Sequence, residues 1–194
     1  MRFRRHGRTC IAALTLVASL GVAAIPRPVV STESRIDFVV KEMGVPVKGT
    51  FAHFESTVDI DPVNPARSSA FLKIDVSSLT TASEEADAVA MDKDWLDMGH
   101  ARYATFRSSS FRALGGGRFE ADGQLTLRNR SRALTLQFTS VDQPGGRTLI
   151  TSDFVIHRSD FGIGGGEWNG PGIVAEDIPV NVRLLLGAPG PGSR

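Results

Sequence analysis

Thiols, tyrosine and long apolar runs are scarce in this sequence. Its 194 residues include one cysteine, one tyrosine and two tryptophans. The cysteine, Cys10, opens an apolar stretch that runs to Ala24, follows Arg2, Arg4, Arg5 and Arg8, and closes on the small residues Val22-Ala23-Ala24. A basic start, a short apolar run and a small-residue end are the parts of a cleavable export signal. The run falls short of the ~20 apolar residues that a membrane-spanning helix requires, so residues 1–24 read as a signal peptide in preference to an anchor, and the expected location is the periplasm. Cys10 stands at the start of the apolar run and away from the cleavage point, which argues against lipid attachment. Cleavage leaves about 170 residues, enough for one domain with a core. That chain has no thiol, so a disulfide framework is excluded and packing alone must hold it.

An excess of charge of one sign is also missing. There are 22 basic and 21 acidic residues, and removing the four signal arginines leaves 18 basic. A faintly acidic surface argues against nucleic acid and against an anionic membrane face. The motifs of catalysis are absent too. No Gly-x-Ser-x-Gly elbow surrounds Ser108-Ser109-Ser110 or Ser159. Gly162, Gly164, Gly165 and Gly166 follow a strand, but no helix pattern comes next, so a dinucleotide loop is poorly supported. His53, His100 and His157 lack the local spacing of a metal site. The reading is a container and not an enzyme.

Period-two alternation is what the sequence has in quantity, and it sets the fold class. Ile36, Phe38 and Val40 alternate with polar residues, as do Phe54, Val58 and Ile60, and Ala70, Leu72, Ile74 and Val76. The pattern returns at Phe119, Ala121, Leu125 and Leu127, at Leu134, Leu136 and Phe138, and at Ile178, Val180, Val182 and Leu184. Weaker strands at Thr105 to Phe111 and Thr148 to His157 bring the count to eight. Asp61-Pro62, Asn64-Pro65, Gly115-Gly116-Gly117, Asn129-Arg130-Ser131 and Pro144-Gly145-Gly146 supply turns between them. One helix is expected between Val76 and Tyr103, with Thr81 and Glu84 as a capping box and Gly99 as its stop. The tail, residues 187–194, is Gly- and Pro-rich and is expected to be disordered. The expected fold is all-β, an eight-stranded antiparallel barrel with one short helix, because a sheet with one apolar face hides it by closing on itself.

These segments resemble the YceI-like family of lipid- and polyisoprenoid-binding proteins, which are exported, lipocalin-like barrels. The resemblance is carried by Ser34-Arg35-Ile36-Asp37-Phe38 and Gly44-Val45-Pro46-Val47-Lys48-Gly49-Thr50-Phe51, by Ile74 to Thr81, and by Trp95-Leu96-Asp97 with Phe106-Arg107-Ser108. It continues in Asp122-Gly123-Gln124-Leu125-Thr126-Leu127 and in the most specific stretch, Arg158-Ser159-Asp160-Phe161-Gly162-Ile163-Gly164. It spans residues 34–186. Gly166-Glu167-Trp168 and Val174-Ala175-Glu176-Asp177 resemble a branch found beside cytochrome b561-type membrane proteins. The chain departs from the family at Ala86-Asp87-Ala88-Val89, around Ala101 and Arg102, and at Asn129 to Arg132, so polar contacts at the barrel mouth are expected to differ.

The resemblance implies a tunnel for one long apolar chain, such as a polyisoprenoid or isoprenoid quinone, where pattern alone favours a packed core. Candidate lining residues are Phe38, Phe54, Leu72, Ile74, Phe106, Leu125, Leu127, Leu136, Phe138, Phe154, Ile156 and Phe161. Trp95 and Trp168 either cover the tunnel mouth or plug a barrel end. Arg158 either meets a pyrophosphate or quinone oxygen or pairs with Asp160 to lock the turn before Gly162. No cofactor is expected beyond such a lipid or quinone as ligand. The alternative is a filled barrel whose loops, Asp92 to Tyr103 and Gly164 to Glu176, dock on a b-type cytochrome or another envelope partner. Oligomeric state is left open, a homodimer included.

Overall fold

The computed structural model describes residues 27–189. The expected signal peptide with Cys10 lies outside the described residues, as does the tail from residue 190. Ten strands form one antiparallel sheet: β1 (Arg35–Glu42), β2 (Val45–Phe51), β3 (Phe54–Asp59), β4 (Ser69–Asp75), β5 (Leu79–Thr80), β6 (Tyr103–Gly115), β7 (Arg118–Leu127), β8 (Arg130–Gln143), β9 (Arg147–His157) and β10 (Asp177–Leu186). Two α-helices accompany them, α1 (Glu84–Met91) and the single turn α2 (Arg158–Phe161). The sheet order is β3-β4-β6-β7-β8-β9-β10-β1-β2-β5.

Eight strands were expected and ten are present. The two additional ones escape periodicity for visible reasons. In β2, Pro46 and Gly49 interrupt the alternation of Val45, Val47 and Phe51, while β5 has only two residues. β2 and β3 are separated by Ala52-His53, where the chain leaves β1 as its neighbour and takes up β4. Ala52 N–H donates to Ser78 O at 3.1 Å and Asp75 N–H to His53 O at 3.0 Å, so the corner is hydrogen-bonded. The curl tightens along β6, whose register on β7 slips between Ser108 and Ser110 and again between Ala113 and Gly115. An extra residue on one strand bends it and increases its twist. The result is a half-barrel.

Residues ahead of β1 tie the β3 edge of the sheet to β10. Arg27 bridges Val58 of β3 and Val29 bridges Leu186 of β10. Gly187 N–H donates to Pro28 O at 2.7 Å, and the Arg27 guanidinium donates to Gly187 O, Thr148 Oγ1 and Gly146 O. Two apolar clusters fill the interior. One, at this strapped end, contains Val58, Phe111, Phe119, Phe138, Ile150, Leu184 and Leu186. Phe119 and Phe138 stack there with centroids 5.5 Å apart, and Phe111 meets Phe138 edge-on at 6.1 Å. The other lies toward the opposite end and includes Leu79, Trp95, Leu96, Phe161, Ile163 and Val174.

The helix departs from its expected bounds. Ser83, not Thr81, is the N-cap, and α1 stops at Met91 with Asp92 as its cap, well before Gly99. Thr81 serves instead as a tether: its N–H and hydroxyl donate to Asp87 Oδ1 at 2.6 and 2.7 Å. Asp92 is followed by turns, in which Asp97 takes a φ of 51°. β9 ends at His157, where the sequence pattern also ends the strand. α2 follows, and Gly162 (φ 68°) terminates it in the left-handed conformation that glycine tolerates best.

Candidate ligand-binding cavity

Alternate side chains of the strands converge on a cavity of about 420 Å³, within the size range of sites that hold drug-sized ligands. Only six of its lining residues are polar, Glu42, Ser56, Thr81, Ser83, Glu85 and Ser152, and the rest are aliphatic or aromatic. Ser83 and Glu85 are exposed, so the cavity opens beside the start of α1. Ala86, Val89 and Ala90 turn the apolar side of that helix toward it. Phe111 and Phe138 form the floor, above the strap of residues 27–29.

Glycine on the wall keeps the bore open where large rings would otherwise crowd it. Phe38 is paired with Gly49 across the β1–β2 ladder, and its ring occupies the place of the missing side chain: a Cβ on Gly49 would stand 2.2 Å from Phe38 Cζ. Phe106 lies over Gly123 in the same way, at 2.5 Å. Rings laid on glycine in this manner pack against backbone and line the cavity with a smooth hydrocarbon surface.

Of the candidates named from sequence, twelve line the cavity: Phe38, Leu72, Ile74, Trp95, Phe106, Leu125, Leu127, Leu136, Phe138, Phe154, Ile156 and Trp168. Phe54, Phe161 and Arg158 do not. Phe54 stands at the β3 end of the corner and packs on both apolar clusters. Phe161 is 3% exposed within the core, because α2 turns it away from the line of β9. Arg158 is 6% exposed, and its Nη1 donates to Ile163 O at 2.9 Å and Gly164 O at 3.0 Å. Its carboxylate neighbour is Glu176, at 3.8 Å from Nε, whereas Asp160 lies nearest to Arg132 at 3.9 Å. The expected Arg158–Asp160 pairing is therefore replaced by a buried guanidinium that staples the glycine-rich turn. Glu176 also accepts from the hydroxyl and N–H of Ser159, and these bonds hold its carboxyl below its ordinary pKa.

Lining residues that the alternation did not reveal come from β2, β5 and α1, among them Val47, Phe51, Leu79 and Val89. Their signal is weak because Pro46, Gly49 and the brevity of β5 break the period.

The two tryptophans meet. Gly165 N–H donates to Asp94 O at 2.9 Å, joining the turn after α1 to the glycine-rich loop, and Trp95 and Trp168 pack edge-on with centroids 5.4 Å apart. Trp95 is 5% exposed and Trp168 half-buried. Trp95 Nε1 has no hydrogen-bond partner, and neither does Ser56 Oγ. Ser152 is satisfied, donating to Gln137 O at 2.7 Å. His100 and His157 lie away from the lining, each 2.8 Å from a carboxylate, Asp97 and Asp177 respectively. Among the described residues no group of three His, Cys, Asp or Glu side chains is placed to hold a metal ion.

Known proteins share both sequence and shape with this chain. A UPF0312 protein of Vibrio cholerae serotype O1 is 30% identical over 134 residues, covering 66% of this chain and 71% of that protein. The crystal structure of Burkholderia cenocepacia BcnA is 32% identical and superposes with a TM-score of 0.77, covering 81% of this chain and 98% of that one. A polyisoprenoid-binding domain from Saccharophagus degradans, implicated in plant cell wall breakdown, is only 15% identical but has the same fold, with a TM-score of 0.67 over 84% of this chain and 99% of that one. The YceI-like domain pattern matches residues 28–186, and on that match the protein belongs to the YceI-like domain family.

Proposed function

We propose that this protein is an exported carrier that holds one long apolar chain, of the polyisoprenoid or isoprenoid-quinone kind, inside the half-barrel. The observation that carries the reading is the cavity: about 420 Å³, apolar on nearly every side, with Phe and Leu side chains from nine strands facing it. Binding transfers hydrocarbon from water to this lining, with a gain of ~25 cal/mol per Å² of apolar surface removed from solvent. No bond is made or broken. The ligand enters beside α1, and its far end comes to rest on Phe111 and Phe138. The fold shared with the polyisoprenoid-binding domain of Saccharophagus degradans supports a chain-like ligand. A filled interior, on which the docking-module alternative depends, is at odds with this hollow. Export rests on the basic and apolar pattern of residues 1–24.

Native mass spectrometry of protein purified from the periplasm of an isoprenoid-producing bacterium tests the reading. A mass above that of the polypeptide, lost on organic extraction and restored by added quinone, is the expected result. A chain that is empty as isolated and takes up no quinone would refute the carrier role.

A further inference from the structure

Two features of the bore select the head group of whatever chain it holds. The first is charge. No Lys, Arg or His is among the lining residues, while Glu42 and Glu85 are, with Glu85 exposed at the mouth. Arg158, the cation nearest in sequence to the glycine-rich loop, has Nη1 engaged by the carbonyls of Ile163 and Gly164. A phosphate or carboxylate drawn into this space would lose water without gaining a cation and would approach two carboxylates of like sign.

The second is the indole of Trp95. It lines the cavity, is 5% exposed, and its Nε1 has no partner. Buried indole N–H groups ordinarily find an acceptor, since leaving one unpaired forfeits its bond to water. The ring is held by Trp168, so the donor keeps a set direction. Ser56 Oγ, the other unpartnered group on the lining, belongs to a less buried residue, and its hydroxyl is free to rotate.

Building on the carrier reading above, we infer that the cavity is specific for apolar chains ending in an uncharged hydrogen-bond acceptor, a ketone, quinone or ester carbonyl, and that Trp95 Nε1 donates to that oxygen. Chains ending in phosphate or carboxylate are discriminated against.

Displacement of bound Nile red by three probes of equal carbon count tests this: a long-chain methyl ketone, the n-alkane and the fatty acid at neutral pH. The ketone is expected to bind about fivefold to tenfold more tightly than the alkane, the gain of one neutral hydrogen bond, and more tightly than the fatty acid. In Trp95→Phe the ketone and alkane are expected to bind alike. Independently of that variant's folding, the indole N–H resonance of Trp95 in the unaltered protein should move downfield with the ketone and stay in place with the alkane. A fatty acid that binds as well as the ketone, an undiminished ketone preference in Trp95→Phe, or an unmoved indole resonance overturns the head-group assignment while leaving the carrier reading intact. Failure of all three probes to displace Nile red overturns both.

Discussion

At Gly123 the missing side chain shapes the bore. The Phe106 ring lies over this residue, and a Cβ there would also come within 2.6 Å of the Arg107 carbonyl oxygen. Gly123→Ala must push the ring into the cavity and shift backbone, and overpacking of this kind costs about 1–3 kcal/mol. Urea unfolding should show that loss together with weakened binding of the long-chain ketone. A variant with unaltered stability and affinity would mean that Phe106 moves freely and does not define the wall. Phe106 was assigned to the lining by its place in an alternating strand. Gly123 looked like a gap in a strand, since the reason for it lies on the neighbouring strand. Arg158 stood out in its motif, but whether it would face a ligand or a carbonyl depended on the chain turning helical at that residue.

Among the elements, α1 rests on the core through Val89, Ala90 and Met91, which are only partly buried. None of its residues is buried, and its modest apolar side borders the mouth. Its bond to the neighbouring chain runs through Asp87, which accepts from the N–H and hydroxyl of Thr81. These bonds, the hydroxyl's foremost, lower the Asp87 pKa in the folded protein. The tether is therefore fully present above the ordinary carboxylate pKa of about 4 and is lost as pH falls through the lower folded value. Dissociation of bound Nile red, followed by stopped-flow, should accelerate as pH drops below about 4. Asp87→Asn keeps an acceptor but cannot titrate, and it should flatten that dependence. If the variant shows the same acceleration, α1 does not gate the mouth through this tether. The sequence announced a helix here by its local acidic and apolar pattern, but placed the cap at Thr81. Thr81 and Ser83 are both competent capping residues, and only the contact with Asp87 gives Thr81 its other task.

For the whole molecule, closure of the strapped end depends on residues that precede β1. Arg27 donates to Gly187 O at 2.9 Å and to Thr148 Oγ1 and Gly146 O at 2.7 Å each. Arg27→Ala removes all three, and charged donors in partly buried settings make such a loss cost about 2–3 kcal/mol. The urea midpoint should fall accordingly, and the Gly187 N–H, bonded to Pro28 O, should lose protection from hydrogen exchange. An unchanged midpoint with full protection would place closure elsewhere. The sequence by itself determined that the protein is an antiparallel all-β domain with one wet and one dry face on each strand, because side-chain direction in a strand is set by period two alone. It also indicated most of the side chains that share the dry face. Tertiary structure alone decided that ten strands take part, that residues 27–29 strap the end, and that the dry face encloses a hollow with an unpartnered indole on its wall. Each of these depends on which strand lies beside which. Pairing across the sheet joins residues distant in the chain, and no local pattern records whether the apolar surface it gathers will meet itself or leave room.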